Sequence, residues 1–260
     1  MDRTVEAGAG GPGPGVAGRV AVVTGASRGL GAGLAARFAE VGLGLGLCAR
    51  REPEVPPTAG DGARVVTGAV DVTDPVAVDR FADAVVERLG RIDLWVNNAG
   101  LLGPVGPLRE VDPGELRANI EVNVLGVLHG SATFARHVRS RPGGGMLVNV
   151  TSGAATRAYA GWAAYCAAKA AVDHATRVVA LEEAGSGLRA FAVAPGVVDT
   201  DMQALIRATP PERFPSVDRF HRIREEGAYN SPAWVADHVL GLLDAPPDAP
   251  VVQRVPDEPR

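Results

Sequence analysis

A short β-branched run at residues 19–24, R-V-A-V-V-T, breaks directly into Gly25-Ala26-Ser27-Arg28-Gly29-Leu30-Gly31 and then into an amphipathic segment ending near Val41. The run reads as a buried strand and the segment as a helix. Strand, glycine-rich turn and helix start, in that order, make a phosphate-binding device. Glycines let the backbone come close to a ligand, and the first helical turn offers its N–H groups to an anion. The spacing T-G-x-x-x-G-x-G differs from the commoner G-x-G-x-x-G. A mere tight turn is the plainer reading, but the strand before it and the helix after it weaken that reading.

Further apolar runs at residues 43–49, 64–70, 92–96, 146–150 and 188–193 read as strands, with a last short one at Val251-Val252. Between them lie helical patterns. One opens at Asp74-Pro75, an N-cap followed by proline at the first helical position, and runs to Leu89. Others span residues 113–139, a stretch ending near Glu183, and residues 232–243. This alternation predicts an α/β fold: a single-domain, Rossmann-type, doubly wound parallel sheet with helices on both faces. Residues 203–230 read as irregular and charged, part of a lid segment at about 200–230. The first 16 residues are dense in Gly and Pro and read as a flexible tail, leaving residues 17–260 as one dinucleotide-binding catalytic domain.

Composition narrows the partners. Hydrophobic residues make up 46% and charged residues 22% of 260 residues, ordinary values for one water-exposed globular domain. The formal net charge of −4 gives no reason to expect nucleic acid or an anionic membrane as a partner. No run of about 18 apolar residues argues for a membrane span, and the amino-terminal stretch lacks the apolar core of a signal peptide. Cys48 and Cys166 fall inside a strand and a helix, which suits buried, reduced thiols and a cytoplasmic protein. The five histidines show no ligand spacing, so no metal site is expected.

The strand ends carry the cofactor reading. After residues 43–49 a carboxylate would favour NAD, whereas an arginine accommodates the 2′-phosphate of NADP. Arg50 and Arg51 stand there instead of a carboxylate, and Arg28 lies in the glycine turn, which together point to NADP(H). Arg51 is the one expected to face solvent. Asp71 is placed to accept from an adenine amino group. Asn97-Asn98-Ala99-Gly100 ends a strand in small residues that let the chain lie close to a dinucleotide. Pro195-Gly196 breaks the chain at another carboxyl strand end, where ligands bind in open α/β sheets.

Tyr165 and Lys169 are four residues apart, one turn of a helix, among small residues. A phenol beside an ammonium has its ionised form favoured, which lowers its pKa from about 10 and suits it to acid–base work. Ser152, at the end of the 146–150 run, can hydrogen-bond a substrate oxygen. A buried, satisfied tyrosine with a snorkelling lysine is the plainer reading of that spacing alone. Asn123, deep in the apolar 113–139 pattern, reads by itself as a satisfied core amide.

Taken together, T-G-A-S-R-G-L-G (24–31), D-V (71–72), N-N-A-G (97–100), N-V-x-G (123–126), Ser152, Y-x-x-x-K (165–169) and P-G-x-x-x-T (195–200) resemble the short-chain dehydrogenase/reductase superfamily over about residues 17–256. The resemblance implies a catalytic tetrad of Asn123, Ser152, Tyr165 and Lys169. In it Tyr165 exchanges a proton with the substrate oxygen, and Ser152 polarises that oxygen. Lys169 holds the nicotinamide ribose and lowers the Tyr165 pKa, and Asn123 holds a water in the proton relay. It also implies a cofactor surface of Gly25, Ser27, Arg28, Gly29, Leu30, Gly31, Arg50, Asp71, Val72, Asn98, Ala99, Gly100, Pro195, Gly196, Val198 and Thr200, beside Tyr165 and Lys169.

Within the superfamily, G-W-A-A-Y-C-A-A-K-A-A-V-D, A-L-E-E (180–183) and A-P-G-V-V-D-T-D-M-Q (194–203) resemble sepiapterin reductases and bacterial benzil reductases. Those enzymes use NADPH to reduce one carbonyl of a vicinal dicarbonyl. Sepiapterin reductases end in a V-D-F-Y-D-like segment whose first aspartate anchors the pterin; here the segment is Q-R-V-P-D, with Arg254 at that place. The resemblance therefore implies a less polar dicarbonyl or aryl ketone as the small-molecule substrate. Ser152, Tyr159, Trp162, Tyr165, Val197 and Met202 are expected to surround it. A homodimer or homotetramer is implied, through helices at 163–171 and 113–139. Other short-chain activities, on a 3-oxoacyl thioester or a sugar, are the alternative. A non-catalytic NADP sensor would typically lack the tyrosine or the lysine, and both are present.

Overall fold

Strands buried on both faces need apolar residues at every position, and Val20–Thr24, V-A-V-V-T, is buried throughout. In the computed structural model, which describes residues 16–60 and 62–260, this segment is β1, near the middle of a seven-stranded parallel sheet. In chain order the elements are β1, α1 (Gly29–Glu40), β2 (Gly44–Ala49), β3 (Val65–Ala69), α2 (Pro75–Leu89), β4 (Leu94–Asn97), α3 (Pro113–Ile120), α4 (Gly126–Arg139), β5 (Gly145–Val150), α5 (Ala163–Glu182), β6 (Leu188–Ala194), α6 (Asp201–Arg207), α7 (Val217–Glu225), α8 (Pro232–Gly241) and β7 (Val252–Arg254). Spatial order is β3-β2-β1-β4-β5-β6-β7. The chain steps outward from β1 to β3, then returns through α2 to lay β4 against the free side of β1. Strand order reverses there, and the reversal opens a crevice at the carboxyl ends of the strands.

Alternation along β1 assigns the two faces. Ala21 and Val23 pack with Leu34 and Phe38 of α1 and Val235 and Val239 of α8. Val20 and Val22 pack with Phe81 and Val85 of α2 and Phe134 of α4. Asp74 caps α2 as the sequence suggests, its Oδ1 accepting from the N–H groups of Val76 and Ala77 at 2.9 and 3.2 Å. The doubly wound parallel sheet with helices on both faces is thus observed. Among the described residues no helix is long and apolar enough to cross a membrane.

Three expectations need correction. The single helix at residues 113–139 is two helices joined by a π-helical turn, Glu121–Leu125, which holds the buried Asn123. Wider turns of this kind concentrate at functional sites. The segment at 203–230 is not irregular: it contains most of α6 and all of α7, whose few buried residues, such as Ile206, Val217 and Phe220, fold it over one end of the crevice. Residues 1–15 of the expected tail lie outside the described residues, while Val16, counted with it, is buried in the core.

Candidate active site

The glycine turn between β1 and α1 is folded tightly on the end of β4. A Cβ added at Gly25, whose φ is +67°, would lie 2.8 Å from the Ala99 Cα, and one at Gly31 would lie 2.3 Å from the Gly25 carbonyl oxygen. The Asn98 side chain donates to the carbonyls of Thr24 and Gly25 at 2.9 and 3.3 Å, while Thr24 Oγ1 accepts from the Asn98 and Ala99 N–H groups. Asn98 therefore acts as the brace of the turn. Helix α1 starts at Gly29 with no side-chain cap and no acidic residue in its first turn. Its first N–H groups are left for an anion.

From this turn a cleft of about 690 Å³ runs along the carboxyl ends of the strands. Ser27, Arg28, Leu30, Arg50, Asp71, Val72 and Gly100 line one stretch of it, and Pro195, Gly196, Val198 and Thr200 another. Arg50 is exposed and forms no ion pair among the described residues. Arg28, expected with Arg50 to meet the 2′-phosphate, is paired instead: its Nη1 is 2.6 Å from Asp201 Oδ2, across the cleft on α6. Arg51 is exposed, as expected, though it borders the cleft. One carboxylate oxygen of Asp71 accepts from Thr73, in a turn at the end of β3.

At the other end stands the tyrosine. Ser152 follows β5; its hydroxyl accepts from the Ala154 N–H at 3.2 Å and acts on the buried Tyr165 phenol, favouring its ionised form. One turn along α5, the buried Lys169 Nζ lies 5.7 Å from the Tyr165 ring centre and donates to the Val150 carbonyl at 2.8 Å. The two side chains sit on one helix face. Their electrostatics differ from expectation. Burial pushes the Tyr165 phenol up to about 12, against the opposing influence of the Ser152 hydroxyl. It pushes Lys169 down to about 8, against the opposing charge of Asp173. Desolvation disfavours both charged forms and is the largest cause for each.

Asn123 is buried with both ends of its amide engaged. Oδ1 accepts from the Leu101 N–H at 2.9 Å, and Nδ2 donates to the Leu101 carbonyl and to Asn119 Oδ1 at 2.7 and 3.0 Å. Its side chain is a satisfied amide that braces the loop after β4. Gly100, next to that loop, keeps both groups near: a Cβ there would be 3.0 Å from Asn123 Oδ1 and 3.9 Å from Lys169 Nζ.

Tyr159 and Trp162 meet in an aromatic wall. Trp162 stacks on Phe214 with ring centres 4.5 Å apart and planes 7° apart, and meets Tyr165 edge-on at 5.7 Å. Phe220 of α7 closes the group at 5.5 Å from Trp162. The Tyr159 hydroxyl accepts from Arg219 Nη1 at 2.6 Å. Met202 packs on this wall, and Val197 borders the same cleft. Phe214, Phe220 and Arg219 were not legible from the sequence, because each is a lone residue in a polar stretch. Neither was Asn230: it is buried, and its Nδ2 donates to the Pro195 carbonyl at 3.0 Å, fixing the turn at Gly196.

The short chain dehydrogenase family matches residues 19–211. A benzil reductase ((S)-benzoin forming) of Bacillus cereus is 32% identical over 234 residues, covering 87% of this chain and 94% of that one. Levodione reductase is similar in structure, with a TM-score of 0.81 and 27% identity, covering 93% of this chain and 96% of that one. A short chain dehydrogenase from Burkholderia cenocepacia, solved in complex with NADP, has a TM-score of 0.72 and 30% identity, covering 93% and 89%. The glycine turn, the parallel sheet and these likenesses agree: the chain belongs to the short-chain dehydrogenase/reductase family of oxidoreductases, close to its benzil-reductase-like members.

Proposed function

We propose that this protein is an NADPH-dependent carbonyl reductase that acts on one carbonyl of a vicinal dicarbonyl or aryl ketone. The observation that carries the reading is that Ser152, Tyr165 and, one turn along the helix, Lys169 line the same cleft as the glycine turn. The residues present fit a dinucleotide. Gly25 and Gly31 leave no room for a Cβ, so the backbone is stripped to its N–H groups where a pyrophosphate would bind, at an uncapped helix start. Arg50, free of ion pairs among the described residues, would meet a 2′-phosphate, as the B. cenocepacia relative's NADP also suggests. The reduced nicotinamide, when bound, supplies the hydride.

The side chains then divide the work. Ser152 donates to the substrate oxygen and holds it beside the phenol. Tyr165, kept protonated at neutral pH by burial, gives its proton to that oxygen as negative charge develops. Lys169, pushed down to about 8, releases a proton more readily than an ordinary lysine and can restore the phenol. Asn123 fixes the Leu101 loop, and with it the wall opposite Lys169. The aromatic wall of Tyr159, Trp162 and Phe220 favours an aryl group, with about 25 cal/mol gained per Å² of apolar surface buried. It leaves a sugar's hydroxyls without partners. The similarity to benzil reductases supports the same substrate class.

Steady-state kinetics test the reading. kcat/KM should favour NADPH over NADH, and Arg50→Ala should narrow that ratio by roughly tenfold to a hundredfold, the value of one charge-assisted hydrogen bond. Benzil and 1-phenyl-1,2-propanedione should outrun sepiapterin, a sugar and an acetoacetyl thioester. An NADH preference, or a ratio untouched by Arg50→Ala, would refute the cofactor assignment. Preference for the sugar or thioester would refute the substrate class.

A further inference from the structure

The cleft carries more positive charge than a cofactor explains. Arg50 and Arg51 stand at the carboxyl end of β2, Arg28 is neutralised by Asp201, and Lys169 lies at the tyrosine. Two more arginines, Arg219 and Arg254, line the same cleft. Arg254 ends β7 opposite Ala194, whose strand runs directly into Pro195 and Gly196. It is exposed, and its side chain forms no hydrogen bond or ion pair with any described residue. Glu258, four residues on, is turned away to Ser231. Half-buried Arg219 gives Nη1 to the Tyr159 hydroxyl and has no carboxylate within ion-pairing reach among the described residues. Arg37, Arg136, Arg139 and Arg207 are matched with acids, while exposed arginines such as Arg64, Arg157 and Arg213 are not, among the described residues; Arg219 and Arg254 differ from the latter in lining the cleft. A protein with a formal charge of −4 thus keeps Arg219 and Arg254, in addition to Arg50 and Arg51, without a carboxylate partner among the described residues in the cleft that holds Tyr165.

We propose that the carbonyl substrate carries an anionic group, a carboxylate, and that Arg254, supported by Arg219, binds it. The proposal rests on the carbonyl-reductase reading of this cleft and narrows it. An arginine presents a planar fork that matches a carboxylate in two parallel hydrogen bonds, and an unmatched one has no internal competitor to displace. The apolar wall takes the body of the ligand, and the arginines fix which end points away from Tyr165. A neutral diketone would fill the wall and leave the arginines to water.

Benzil and 4-carboxybenzil separate these cases, since they differ by one carboxylate. With the wild-type protein and NADPH, kcat/KM for 4-carboxybenzil should exceed that for benzil by roughly tenfold, shrinking as salt screens the exposed Arg254. Arg254→Leu should bring the ratio near one, and Arg254→Lys should keep part of it. Calorimetric binding of both compounds to the protein with NADP⁺ reads the same preference without turnover. Acid and neutral compound bound equally well, or a ratio unmoved by Arg254→Leu, would overturn the proposal. Tighter binding of the acid with neither compound reduced would uphold the anion site and overturn the dicarbonyl reading instead.

Discussion

Lys169 is the only lysine in the sequence; every other basic side chain counted among the 26 is arginine. Uniform replacement of lysine by arginine everywhere but here fits a position that needs a cation able to lose its proton, which arginine does not do. It also makes a direct measurement possible. Protein grown with ¹³Cε-lysine should show one side-chain resonance, titrating near 8 rather than at the ordinary 10.5. A midpoint at 10 or above would contradict the burial argument. The same shift sets the sign of a stability effect. Between about 8 and 10.5 the unfolded chain still holds a proton that the folded one has released, so stability from this residue rises with pH across that window. Lys169→Met should lose that rise, seen as a denaturation midpoint that no longer climbs relative to wild type. The spacing of tyrosine and lysine was legible in the sequence. The direction of their pKa values was not, because spacing gives proximity while desolvation depends on how deeply the fold encloses both groups.

At the scale of elements, the glycine turn does its work through space that a side chain would fill. Gly31→Ala would put a methyl 2.3 Å from the Gly25 carbonyl oxygen and 2.5 Å from Asn98 Nδ2, so the turn or its brace must move. Overpacking of this kind costs about 1–3 kcal/mol and should weaken NADPH binding as well. Gly185→Ala, with nothing within 4 Å of the new methyl, is the control. Urea denaturation and NADPH titration of the two variants check this, and equal behaviour would contradict the tight-turn account. Strands were legible to within a few residues because each is apolar at nearly every position. Helix α7 was not: V-D-R-F-H-R-I-R-E buries only Val217 and Phe220, too few to show a stripe before the fold supplies their partners. The π-helical turn was hidden too, since E-V-N-V-L carries no mark that separates it from an ordinary helix. What holds it in place is visible only in three dimensions, in the Asn119–Asn123–Leu101 bonds and the contact of Gly126 with Val72.

Across the whole molecule, segments scattered from Gly25 to Arg254 converge because many of them follow a strand or end one at the same edge of the sheet, while α5 and α7 bring in Tyr165, Lys169 and Phe220. Parallel strands make that convergence automatic: each carboxyl end opens into a loop on one side, and the reversal of order between β1 and β4 leaves the crevice there. The motif order in the sequence therefore told where the cleft would be. It did not tell what covers it, since the aromatic wall draws Phe214 and Phe220 from a segment that reads as irregular. The central claim is that Tyr165 delivers the proton in an NADPH-dependent reduction within this cleft. The most direct test is NADPH oxidation with benzil by wild type and Tyr165→Phe, with NADPH binding measured alongside. The account predicts that the variant stays folded, binds NADPH and loses about 10²–10⁴-fold in kcat, the worth of a positioned general acid. A purified Tyr165→Phe protein that keeps near-wild-type kcat would contradict it.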